Sequence, residues 1–131
     1  ALPCVDFLLL AVWQDRSPLD PGAALLRLSG ALAGAGALGT VALVAPEAYL
    51  QGYNSPDLAA QALTRAEAAA RLAPLCRAAG CGPVVGHAER HDGGLANGAL
   101  ALDAEGREVG HHRKLQLYGP RETALYAPGR G

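Results

Sequence analysis

"TVALVAPEAYLQGYN", residues 40–54, opens as an apolar run and then sets a carboxylate, Glu47, directly behind a proline. The run has strand length and no polar alternation, the pattern of a strand inside a sheet with layers over it. Its place in the chain decides the fold. Upstream, "DFLLLAVW" (6–13) is another apolar run of strand length, expected to be covered on both faces. Between the two, Asp20 is a natural N-cap with Pro21 at the first helical position. Ala24, Leu25, Leu28, Ala31 and Leu32 fall on one face of that helix, and Gly34 and Gly36 are expected to end it. Strand, helix, strand in this order requires a crossover, which makes the two strands parallel neighbours or near neighbours.

Working outward, Thr64 and Glu67 spell a capping box at the start of a helix that runs towards Gly80 along Ala68, Leu72, Leu75, Cys76 and Ala79. Pro74 lies inside that stripe and is expected to kink or split the helix. "GPVVGHAER" (82–90) and "LANGALALD" (95–103) read as strands, and "DAEG" (103–106) as the turn into a last strand, "REVGHHRKLQL" (107–117). Alternation puts Val109, His111, Arg113, Leu115 and Leu117 on one face of it, and Gly110, His112, Lys114 and Gln116 on the other. The order is β-α-β-α-β-β-β, an α/β fold in one unit.

Composition narrows the partners. Eleven Lys and Arg stand against twelve Asp and Glu, a net charge of −1, which offers no basic footprint for nucleic acid or an anionic membrane. The apolar runs are too short or too interrupted to span a bilayer. Asp6, and no basic cluster, precedes the first run, unlike a secretory signal, so a cytoplasmic location is expected. Cys4, Cys76 and Cys81 form neither an even disulfide framework nor a C-x-x-C pair, and are read as buried free thiols. His111 and His112, adjacent on a strand, point to opposite faces and cannot easily share a metal ion; they are read as surface residues. No metal and no cofactor is expected. Glu89 with Arg90 is read as a structural ion pair, and Tyr53 with Gly52 as packing the loop behind Glu47. Without methionine and starting at Ala1, the chain reads as a processed product or a piece of a longer one.

"GAGALG" (34–39) spells G-x-G-x-x-G. A dinucleotide fingerprint must follow a strand and open a helix, so that the pyrophosphate meets the helix amino end. Here the glycines close a helix and precede a strand, and no dinucleotide affinity is expected.

Three segments taken in order resemble the nitrilase superfamily, the carbon-nitrogen hydrolases. They are "LVAPEAYLQGYN", "GHAERHDGGLANGALALDAEGREVGHHRKLQLYG" and "ETALYAPG". The resemblance implies that Glu47 is the general base, Lys114 the catalytic lysine and Glu122 the second glutamate supporting lysine and substrate. It also implies a cysteine nucleophile and a four-layer α-β-β-α sandwich, of which this chain is the amino-terminal half. The chain departs from the family pattern at Ala45 before Pro-Glu, His87 and Ala88 before Glu-Arg, Ala96 before Asn97, and Leu115 and Gln116 after the lysine. The family's cysteine lies beyond the Pro-Gly segment, so residues 1–131 are a partial domain ending before the nucleophile, expected to be inactive alone. The implied reaction is hydrolysis of a small-molecule amide to acid and ammonia. A nitrilase or carbamoyl-amide hydrolase, or a non-catalytic degenerate copy, are the alternatives. Homo-oligomerisation at full length is the family's implication.

Overall fold

A computed structural model describes residues 7–130. β1 (Leu10–Val12), α1 (Pro21–Ala37) and β2 (Ala42–Val44) form the expected crossover, with β1 and β2 parallel. A short α2 (Leu58–Gln61) and α3 (Arg65–Ala79) lead to β3 (Gly82–His91), which pairs parallel to β2. β4 (Gly94–Leu102) and β5 (Glu108–Arg113) follow as antiparallel neighbours, and α4 (Gly119–Leu125) comes last. The five strands stand in the order β1-β2-β3-β4-β5. Neither α2 nor α4 was expected from periodicity; at four and seven residues they are too short to show one.

The predicted caps are present. Asp20 accepts the Ala23 amide at 2.8 Å and Pro21 opens α1. Thr64 and Glu67 bond each other's backbone at 3.1 and 2.8 Å. Gly80 closes α3 in the left-handed conformation at φ 65°. Asp92 and Gly93, at φ 49° and 75°, form the two-residue turn of the β3–β4 hairpin, the geometry that Asp-Gly favours.

Two expectations about helices are corrected. α1 runs through Gly34 and Gly36 to Ala37. A Cβ at Gly36 would collide with the Ala79 carbonyl, so this glycine lets α1 and α3 approach instead of ending the helix. α3 is not split at Pro74. Pro74 and Ala70 both face solvent, so the Ala70 carbonyl that loses its partner there remains open to water.

α1 and α3 cover one face of the sheet. Leu28, Leu32, Leu72 and Cys76 pack there on Leu43, Val85 and Leu100, all 3% exposed or less. On the opposite face Val44, Val84, Ala99 and Ala101 are only half-buried, and Leu10 and Val12 of the edge strand are 58% and 77% exposed. β1 is therefore covered on one side among the described residues, not on both.

Beneath the helix layer, Glu89 is 1% exposed and takes Arg113 Nη2 at 2.6 Å, Arg113 Nε at 3.1 and 3.2 Å, and His111 Nε2 at 2.8 Å. Arg90 points the other way along β3 and pairs with Glu67 at 2.9 Å. The expected Glu89–Arg90 pair is thus replaced by two cross-element pairs, because adjacent strand residues face opposite sides. His111, read as a surface residue, has a side chain only 9% exposed. Burial pushes the Glu89 carboxyl up, but the hydrogen bonds from Arg113 and His111 outweigh it and hold the group below the usual range.

Two outcomes follow. Glu89→Ala leaves Arg113 without its partner and is expected to cost about 3–5 kcal/mol in urea unfolding. The Glu89 contribution is complete above the ordinary glutamate pKa and disappears as pH falls through the lowered folded value, so the gap between wild type and variant should narrow on acidification. At Gly86, an added Cβ would meet the Ala48 amide and the Glu47 backbone. Gly86→Ala should therefore cost about 1–3 kcal/mol by the same measurement.

Candidate active site

Glu47 follows the end of β2, where the chain leaves the sheet. The Gly86 amide donates to Pro46 O at 3.3 Å and the Leu50 amide to Gly86 O at 3.2 Å, draping this turn over β3. Ala48 takes φ 50°, a left-handed conformation that bends the chain sharply beside the carboxylate and is rare for alanine. Gln51, fully buried, receives the Ala88 amide at 2.8 Å and donates to Gln61 O at 3.2 Å, replacing the strand pairing that β2 has lost.

β5 ends at Arg113, so Lys114 stands just past the strand, not inside it as expected. Its amide still bonds Asn97 O at 2.8 Å, which keeps its side chain on the face opposite Arg113. α4 brings Glu122, whose side chain is 2% exposed. Glu122 lies inside this short helix and its carboxylate is turned into the protein.

The three sequence-predicted residues meet. Lys114 Nζ lies 2.9 Å from Glu47 Oε1 and 3.1 Å from Glu122 Oε1. Asn97 Nδ2 donates to the same Glu47 oxygen at 2.7 Å. Glu47 Oε2 has no bond among the described residues, and the side chain is 51% exposed. Glu122 receives the Tyr118 amide on Oε2 at 2.6 Å and the Tyr53 hydroxyl on Oε1 at 2.9 Å. Tyr53, expected only to pack the loop, bonds to the site directly. Asn97 and Tyr53 are the contributors that residue-type patterns did not single out, since neither titrates near neutral pH and neither is near Lys114 in sequence.

Electrostatics follow from these contacts. The Glu47 hydrogen bond holds the Lys114 ammonium above the usual lysine range, against desolvation and with help from Glu122. The Tyr118 amide holds the Glu122 carboxyl below its usual range, with Lys114 and Tyr53 adding to it against burial. Lys114 is therefore a permanent cation at neutral pH and Glu122 a permanent anion. Glu47 borders a hollow of about 230 Å³ lined by Pro46, Val84, Asn97, His112 and Lys114.

Cys76 and Cys81 are each 0% exposed, and burial pushes the Cys76 thiol up to about 11, the reverse of what a nucleophile needs. Cys4 lies outside the described residues. Among the described residues no group of three or more His, Cys, Asp or Glu is placed to hold a metal ion. None of the described helices is long and apolar enough to cross a membrane.

The chain is 35% identical over 91 residues to a protein of Pseudomonas protegens described as "Hydrolase in pqqF 5'region", covering 66% of this chain and 32% of that one. An amidase from Nesterenkonia sp. superposes with a TM-score of 0.81 at 29% identity, over 93% of this chain and 48% of that chain. A double mutant of the amidase from Nesterenkonia sp. AN1 in complex with acrylamide gives 0.85 at 27% identity, over 100% and 52%. A further mutant, showing Michael addition of acrylamide at the active site cysteine, gives 0.81 at 28% identity, over 93% and 50%. The chain thus spans about half the length of these amidases and about a third of the curated relative. The family model for the carbon-nitrogen hydrolases matches residues 9–131, and the chain belongs to that family.

Proposed function

We propose that this chain supplies Glu47, Lys114 and Glu122 to an amide-hydrolysing centre whose nucleophile is a cysteine outside residues 1–131. The observation that carries the reading is the convergence of three segments distant in sequence on Lys114 Nζ, with carboxylate oxygens at 2.9 and 3.1 Å. The neighbours' amide ligands favour amides over nitriles.

In this reading Glu47 takes the thiol proton. Its Oε1 is committed to Lys114 and Asn97, which leaves Oε2 to accept. The thiolate attacks the amide carbonyl carbon, and the Lys114 ammonium stabilises the oxyanion as it forms. Glu47 returns the proton to the departing nitrogen, releasing ammonia and leaving a thioester. Glu47 next deprotonates water, which attacks the thioester carbon, and collapse releases the acid and the thiol. The balance is amide plus water giving acid plus ammonia. Lys114, a fixed cation, acts as an electrostatic group and not as a proton donor. Glu122 holds it in place.

The same reading takes residues 1–131 as a partial domain, and the full-length protein as a cytoplasmic homo-oligomer acting on small amides.

With the full-length protein and butyramide as substrate, ammonia release should fall about 10³-fold in Glu47→Gln and by at least as much in Lys114→Ala, with folding intact by circular dichroism. Residues 1–131 alone should release none. Full activity in Glu47→Gln would overturn the assignment of the base, and a full-length protein that turns over no amide would favour the degenerate, non-catalytic alternative.

A further inference from the structure

The turn after Glu47 carries a latch. Gly52, at φ 91° and with no room for a Cβ beside Leu19, turns the chain so that Tyr53 faces α4. The Tyr53 hydroxyl donates to Glu122 Oε1 at 2.9 Å, the same oxygen that Lys114 contacts at 3.1 Å. The tyrosine is held by a second residue of α4 as well. Arg121 Nη2 donates to its carbonyl at 3.0 Å, and the guanidinium lies over its ring at 5.9 Å from the centroid.

We propose that Tyr53 is a positioning residue, whose hydroxyl shares Glu122 Oε1 with Lys114 and so leaves the ammonium directed at Glu47 and the reacting carbonyl. The inference rests on the amidase reading above. An oxygen serving two donors gives less to each, and Lys114 sits nearer Glu47 (2.9 Å) than Glu122 (3.1 Å). Without the phenol, the whole of Oε1 acts on Lys114, drawing the ammonium towards a buried carboxylate and away from the place where an oxyanion forms. Tyr53 links the segment bearing the base to the segment bearing the second glutamate, so a shift of either one is felt at the lysine.

The charged and titratable groups facing Glu122 are Lys114, Tyr53 and Glu47 from other segments, and Arg121 and Tyr126 from its own. The Tyr53 hydrogen bond is one of those holding the Glu122 carboxyl below its usual range. Losing it raises that value. A protonated Glu122 cannot hold Lys114, so activity then declines from a higher pH as the solution is acidified.

The test uses the full-length protein and butyramide. Tyr53→Phe should lower kcat about tenfold, leave KM within about twofold, and move the acid limb of the kcat profile to higher pH. 3,5-Difluorotyrosine at position 53, a stronger donor, should move the limb the other way. An unmoved acid limb, with or without a fall in kcat, overturns the proposal, because loss of folded enzyme scales the profile without shifting it. Glu47→Gln in parallel separates the two readings. If it abolishes turnover while the Tyr53→Phe profile stays unmoved, only the role of Tyr53 fails. If turnover is absent in the wild type, the Glu122 carboxyl titration followed by carbon NMR decides: an upward shift in Tyr53→Phe supports the contact, and no shift overturns it.

Discussion

One ammonium group held between two carboxylates organises this molecule. Lys114 reaches Glu47 and Glu122 at 2.9 and 3.1 Å, and the three residues arrive from the end of β2, the end of β5 and α4. Two anions with a single cation would repel if brought together in a dry site. Here they are separated by exposure and by donors. Glu122 is almost wholly buried but is satisfied by the Tyr118 amide and the Tyr53 hydroxyl as well as by Lys114, whereas Glu47 remains half in solvent. The buried acid is therefore fixed as an anion, and the exposed one keeps an oxygen free. This explains why an apolar strand ends on a carboxylate: the strand delivers Glu47 to its own carboxyl end, and the turn lifts it out of the core.

The β3–β5 hairpins carry polar groups on both faces, with separate duties. Alternation sends Asn97 and Lys114 to the front, where Glu47 waits, and Gly98 and Arg113 to the back, under the helices. At the back, Glu89 clamps Arg113 and His111, tying β5 to β3 across the intervening strand. Because Arg113 and Lys114 are consecutive, a clamp on one fixes the direction of the other. His87 lies beside this cluster at 0% exposure, and burial lowers its pKa, so its ring stays neutral next to the Glu89 charge. Gly98 provides the space: a Cβ there would crowd the Glu89 carboxylate at 3.1 Å.

Close backbone approach is the second theme. Gly36 lets α1 meet α3, and Gly86 lets the Glu47 turn lie on β3. In sequence the first looks like a helix stop or part of a nucleotide fingerprint, and the second like any residue of an apolar strand. A glycine required by a neighbour distant in the chain leaves no local mark that separates it from one required by its own turn.

The crossover, the two capped helices, the hairpin strands and the α/β order were all legible in the sequence, because caps, turns and apolar periodicity act between residues close in the chain. Glu47, Lys114 and Glu122 were legible as candidates through the family's ordered motifs. Tertiary structure alone decided that those three side chains converge and that Glu122 rides on a helix too short to show a period. It also decided that Glu89 pairs with Arg113 in place of its neighbour Arg90, and that Tyr53 belongs to the site. These are contacts between segments far apart in the chain. Each depends on which face of a strand meets which face of another element, a choice made by packing the whole sheet against its helices and not by any local run of residues.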